Sequence, residues 1–224
     1  MTRRGAAQKP VAAAQSVVEG LASRAGEGGG PVRRPLADSI RQLSAVDRAV
    51  YDAIAATPTP ALDEPLRQLS RAANKSRLWL AIAAVLATAG GPTGRRAAVR
   101  GTLAIGVTSA LVNLGIKPLS FRGRPDRARA GVPGQRQVRM PGSTSFPSGH
   151  SASAFAFATA ISREQPWVAL AAEFLAAAVA YSRVHTGVHY PGDAVIGSII
   201  GGSTGLAVAS LLDRRFPAPG SCPP

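Results

Sequence analysis

Five stretches of this chain are almost free of charge, and that limits what it can fold into more than anything else in it. Leu78–Gly94, Gly101–Ile116 and Ala194–Leu212 contain no ionisable side chain, Ser151–Ser162 is likewise uncharged after His150, and Gln165–Ser182 holds one carboxylate, Glu173. At about 1.5 Å of rise per residue, runs of this length approach the roughly 30 Å of a bilayer's hydrocarbon layer. They are rich in Ala and Gly rather than Leu, which suits close helix packing, and Gly197 and Gly201 have the four-residue spacing that permits it. The pattern predicts an all-α fold, a polytopic membrane helical bundle of about five transmembrane helices near 77–92, 98–117, 149–163, 166–182 and 192–212. A soluble bundle of deeply buried helices is the alternative.

The flanks differ in character. Residues 1–35 carry GEGGGPVRRP and little periodicity, so a disordered basic arm is expected there. No signal peptide is read in it, because Gln15 and Ser16 interrupt the weakly apolar Val11–Val18. Residues 36–75 are expected to form amphipathic, interfacial helices. Ser44-Ala45-Val46-Asp47 resembles a capping box with Asp in place of Glu, opening a helix with Val46, Val50 and Ile54 on one face before Thr57-Pro58-Thr59-Pro60. A second piece covers Leu62–Ala73, and both suit a membrane surface or the outside of a bundle. Residues 76–213 form the expected core and 214–224 a tail.

The charge balance narrows the partners. Lys and Arg number 26 against 12 Asp and Glu, a formal charge of +14, which favours anionic ligands. Nucleic acid is not expected as a partner: aromatic residues are only 5% of the chain, and much of the charge flanks the apolar runs. Cys222 is the sole cysteine, so no intramolecular disulfide forms.

Threading five spans back and forth brings four span ends to one face. The segments KPLSFRGRP, PSGH and SRVHTGVHYPGD then converge, gathering Lys117, Arg124, Ser148, Gly149, His150, Arg183, His189 and Asp193. Arginine forks and a lysine would neutralise phosphoryl oxygens. Ser148 and Gly149 precede a helical run whose free N–H groups favour an anion. His189 and Asp193 are four apart, so the carboxylate fixes the tautomer of an imidazole able to attack phosphorus, while His150 protonates the leaving alkoxide and then activates water. The connection 118–148 is long and basic, and Arg127, Arg129, Arg136 and Arg139 are read as surface contacts to lipid headgroups. His185 and His189 also form an H-x3-H pair that would ligate zinc with Asp193, but that reading leaves Lys117, Arg124 and Arg183 unexplained. His185 is read as structural, Tyr190 and Pro191 as shaping the turn, and Glu173 is given no chemistry.

Lys117-x6-Arg124-Pro125, Pro147-Ser148-Gly149-His150 and Ser182-Arg183-x5-His189-x3-Asp193 together resemble the three-part signature of the phosphatidic acid phosphatase type 2 superfamily, over about residues 76–212. The resemblance implies a metal-independent phosphatase with a helical core and no cofactor. It makes His189 the nucleophile, Asp193 its partner and His150 the acid and base, with Lys117, Arg124, Ser148, Gly149 and Arg183 binding phosphate. Soluble acid phosphatases and vanadium haloperoxidases share the signature, yet the apolar runs favour the membrane branch. The expected substrate is a lipid phosphate held in the bilayer: a prenyl phosphate or diphosphate, phosphatidate, phosphatidylglycerol phosphate or a polyprenyl sugar phosphate. A membrane protein that only binds anionic lipid or a partner through its basic face is the competing reading. The active face would carry 20 of the Lys and Arg residues and the opposite face 6, which the positive-inside rule places in the cytoplasm. Chain size and 23 Arg against 3 Lys suggest a bacterial inner membrane.

Overall fold

The computed structural model describes residues 33–216. Most of the expected basic arm and of the tail therefore lies outside the described residues, among which there is no strand. Seven α-helices follow one another: α1 (Arg33–Ala56), α2 (Pro60–Ala72), α3 (Arg77–Ala89), α4 (Gly91–Ala110), α5 (Gly149–Ile161), α6 (Pro166–His185) and α7 (Pro191–Arg215). Proline explains several boundaries. Thr57 precedes Pro58 and cannot easily stay helical, whereas Pro60, Pro166 and Pro191 open α2, α6 and α7, where the missing N–H costs nothing.

Helix α4 runs on through a π-helical segment (Leu111–Ile116) into a 3-10 turn (Lys117–Leu119). Gly91–Leu119, Pro166–His185 and Pro191–Arg215 are long and apolar enough to cross a membrane. The expected spans 77–92 and 149–163 come out shorter. Helices α3 and α5 have 13 residues each, about 20 Å, less than a bilayer core. Helix α5 owes its apolar sequence to enclosure by protein: it packs against α4, α6 and α7, and Ala152, Ala154, Ala156 and Phe157 are fully buried.

Helices α5 and α7 run parallel and very close. A Cβ built on Gly197, Gly201 or Gly205 would stand 2.5, 2.1 or 2.5 Å from the carbonyl oxygens of Ser148, Ala152 and Ala156. Only glycine allows that approach at these three positions, one per turn. The backbone N–H of Ser148 donates to the Asp193 carbonyl oxygen (3.0 Å), locking the two helix starts together.

The N-terminal helices correct two expectations. Helix α1 begins by Arg33, so Ser44–Asp47 lies inside it and forms no capping box. A helix that continues upstream already satisfies the N–H groups a cap would serve, which leaves Asp47 free for distant partners. Val46 and Val50, expected on one face suited to a membrane surface or the outside of the bundle, are 60% and 43% exposed, while Tyr51 and Ala55 pack with Val132, Ala180, Val184 and Ala194. Arg136, expected on the surface, is buried: its Nε donates to Asp63 (2.8 Å) and its Nη2 to the Thr57 carbonyl (2.7 Å), tying the 118–148 connection to the α1–α2 corner. Arg127 is likewise turned inward, donating to the carbonyls of Gly187 (3.1 Å) and Val138 (2.7 Å). Backbone carbonyls left unpaired by irregular chain claim these guanidiniums. Arg129 and Arg139 do stay exposed.

Candidate active site

The end of the α4 segment, the starts of α5 and α7 and the end of α6 meet at one end of the bundle, with α2 and the 74–76 turn against them. Lys117 leaves the π segment beside the start of α5, where its Nζ would lie 3.6 Å from a Cβ built on Gly149. As the first two residues of α5, Gly149 and His150 have N–H groups without intrahelical acceptors, at the positive end of the helix dipole. Ser148 departs from expectation. Its N–H is taken by Asp193, and its buried Oγ caps α5 by accepting from the Ser151 N–H (3.4 Å) and Ser151 Oγ (2.9 Å). Ser148 thus caps α5 and has no free N–H to offer an anion.

His189 and Asp193 are both buried where α7 begins. The Nδ1 of His189 lies 3.5 Å from Asp193 Oδ2 and 3.5 Å from Ser145 Oγ, while its Nε2 lies 3.3 Å from Arg124 Nη1. One ring nitrogen thus faces an anion and the other faces a cation. Burial pushes His189 down to about 4; Asp193 opposes this, and Arg124 and Arg183 add to it. The imidazole is therefore neutral near pH 7, with a lone pair on one ring nitrogen. Arg124 is aimed by the loop that carries it, donating to the carbonyls of Ser143 (2.8 Å), Thr144 (3.2 Å) and Val188 (3.0 Å). Burial lowers it to about 10, with Asp193 acting the other way, so it stays charged at neutral pH.

Arg183 is 1% exposed and donates through Nη1 to Ser70 Oγ (2.5 Å) and the Ser70 carbonyl (3.4 Å), leaving its Nε without a partner. A buried guanidinium with an unpaired donor makes Arg183 a candidate to hold an anion. The charges of Lys117, Arg124 and Arg183 reach one another and His150. His150 itself pairs through Nε2 with Asn74 Oδ1 (2.9 Å). A half-open cleft of about 180 Å³ lies here, lined by Asn113 and Lys117, by Gly149 and His150 at the start of α5, and by Lys75 and Ser76.

Several of these partners have no signal in the sequence. Asp193 accepts from Arg122 Nη1 (2.8 Å), the Tyr190 N–H (3.0 Å) and Ser145 Oγ as well as standing by His189. Arg122 also pairs with Asp47, lies over the Tyr190 ring at 4.4 Å, and Asp47 accepts from the Gly192 N–H (2.7 Å). Arg122 sits among the unassigned positions between Lys117 and Arg124; Asp47, Ser70 and Asn74 are far away in sequence. The H-x3-H spacing serves two different pairs, since His185 Nε2 meets Asp63 Oδ1 (3.1 Å). Among the described residues no three His, Cys, Asp or Glu side chains gather as a metal site.

The model of the PAP2 superfamily matches residues 98–217, more than half of the chain. The chain belongs to the PAP2 superfamily. A lipid A 4'-phosphatase of Bacteroides thetaiotaomicron is 32% identical to it over 131 residues, 53% of this chain and 58% of the relative, so the chain spans less than two thirds of that relative's length. The transmembrane PAP2 type phosphatidylglycerolphosphate phosphatase of Bacillus subtilis shares its fold, with a TM-score of 0.60 at 24% identity over 78% of this chain and 88% of that one. Aquifex aeolicus LpxE does so with a TM-score of 0.58 at 23% identity over 74% and 95%. With three membrane-length apolar helices and the fold of a transmembrane PAP2 enzyme, this PAP2 chain is a membrane protein, and the soluble-bundle alternative gives way.

Proposed function

We propose that this PAP2 protein is a metal-independent lipid phosphatase working through a phosphohistidine. His189 Nε2 attacks phosphorus as the bond to the leaving oxygen breaks, and His150 gives that oxygen its proton. His150 then takes a proton from water, which attacks the phosphohistidine and frees inorganic phosphate and neutral His189. Asp193 stabilises the imidazolium in between, and Lys117, Arg124, Arg183 and the N–H groups of Gly149 and His150 hold the phosphoryl oxygens. The observation that carries the reading is His189 set between Asp193 and Arg124, one nitrogen oriented and the other open to a cation-lined site. A protein that merely held anionic lipid would have no use for that arrangement. A lipid leaving group is supported by Leu114, Leu119 and Phe121, neighbours of Lys117 in the chain that are 80%, 80% and 68% exposed. The relative that acts on lipid A and the neighbour that acts on phosphatidylglycerolphosphate agree with a lipid substrate.

The test is phosphate release by detergent-purified protein with EDTA present, over prenyl phosphates and diphosphates, phosphatidate and phosphatidylglycerol phosphate. Release that survives EDTA and is blocked by vanadate is expected. Activity lost to EDTA and restored by zinc would overturn the mechanism. We also assign the active face to the cytoplasm, since that end carries most of the Lys and Arg residues. A cysteine at the exposed Arg129, in a Cys222→Ser background, is expected to react with an impermeant maleimide in inside-out vesicles only. Labelling in right-side-out vesicles reverses the assignment.

A further inference from the structure

The cleft beside His150 has a second wall that the phosphatase mechanism leaves unused. His150 serves the leaving oxygen in the proposed mechanism, and its Nε2 is bonded to Asn74 Oδ1 at 2.9 Å, so the Asn74–Ser76 turn stands beside the histidine that handles the leaving group. Two features set this turn apart. Lys75 and Ser76 both hold left-handed backbone conformations, φ 54° and 57°, which side-chain-bearing residues seldom adopt and which persist where a site requires them. The chain also has only 3 lysines among its 26 Lys and Arg residues, and two of them, Lys75 and Lys117, line this one cleft. Among the described residues neither lysine has a carboxylate partner. The mechanism employs Lys117 at the reacting phosphate. Lys75 and Ser76 line the same cleft from the turn that holds His150 through Asn74, and the volume of about 180 Å³ exceeds what one phosphoryl group fills. A lysine supplies a mobile point charge suited to a phosphate whose position varies from one lipid to another.

We propose that Lys75 binds a second phosphate, carried by the leaving group, and so selects lipids with two phosphates close together. This rests on the phosphatase reading for which side of the cleft the leaving group occupies. Two lipid classes share the chemistry: a lipid diphosphate, whose leaving group is the lipid monophosphate, and a glycerol phosphomonoester whose other end is a phosphodiester. Phosphatidate has no second phosphate.

The experiment uses the full chain in detergent at about 0.15 M salt, where surface attraction is largely screened. Inorganic diphosphate and orthophosphate are titrated calorimetrically, and kcat/KM is measured on a prenyl diphosphate, phosphatidylglycerol phosphate and phosphatidate. Wild type is expected to bind diphosphate about tenfold more tightly than orthophosphate, one charge-assisted contact's worth. Lys75→Gln should erase that preference and lower kcat/KM about tenfold on a two-phosphate lipid while phosphatidate changes by less than about threefold. Lys75→Arg should retain the preference. Lys75→Gly, which suits the left-handed backbone, should repeat the loss if the glutamine variant is unstable. A loss confined to the prenyl diphosphate identifies a diphosphate as the ligand, and one confined to phosphatidylglycerol phosphate identifies the phosphodiester. Equal changes on all three lipids, or no anion preference in wild type, overturn the proposal. Lys75-dependent diphosphate binding without turnover of any lipid keeps the subsite and discards the phosphatase reading.

Discussion

Phosphate release by a His189→Ala variant is expected to fall at least about 10⁴-fold, to the rate that a cation-lined pocket gives water alone. The chain has His150 nearby, but its Nε2 is engaged with Asn74, and the groups that orient an imidazole for attack surround His189. The fold should survive, because Asp193 keeps Arg122, Ser145 and the Tyr190 N–H as partners when the ring is gone. A melting curve close to wild type together with the lost turnover would assign the effect to chemistry. Near-normal turnover would end the phosphohistidine proposal. The pH dependence has a definite sign. His189 attacks only when neutral, and burial holds it to about 4, so its contribution is present above that pH and is lost as the pH falls through it.

Asp193→Asn is expected to cost about 10²–10⁴ in kcat, because an amide neither enforces the tautomer that leaves Nε2 free nor stabilises the imidazolium formed on attack. The substitution is nearly isosteric, yet Asp193 also accepts from Arg122, Ser145 and the Tyr190 backbone, so stability will move too. Arg122 retains Asp47, which limits the loss to about 1–3 kcal/mol, the value of a buried bond made worse rather than of a charge abandoned. Rate and melting temperature measured on the same preparation separate the two roles. A lowered melting temperature with normal turnover of the folded fraction would reduce Asp193 to a structural residue.

How much of this was legible in the sequence depends on how far apart the partners lie. His189 and Asp193 sit four apart at one helix start, and Lys117, His150 and Arg183 each end or begin an apolar run, so topology alone could bring them together. Asp47, Ser70 and Asn74 reach the site from helices and a turn that approach it only after the bundle has closed. Ordinary polar residues at such separations leave no local pattern. Hydropathy set α3 and α5 a few residues too long for a related reason. A helix enclosed by other helices, as α5 is, is selected for apolar side chains as strongly as one facing lipid, so hydropathy alone does not mark its ends. The N–H of Ser148 is not free because a second helix start claims it, which the start of one helix alone does not reveal.

The ladder of Gly197, Gly201 and Gly205 against the carbonyls of Ser148, Ala152 and Ala156 works as a detent between two rods. Sliding α7 by one residue turns its glycine edge about 100° away and presents side chains to a gap that holds none. The permitted positions are therefore a full turn apart, and a one-turn slip of about 5.4 Å would carry Asp193 away from the start of α5 altogether. Alignment of the reacting groups is thus fixed by notches deep in the bundle that no substrate reaches. Enlarging Gly205, three turns from Asp193, should blunt turnover as a fault of phasing, with no side chain of the site itself replaced.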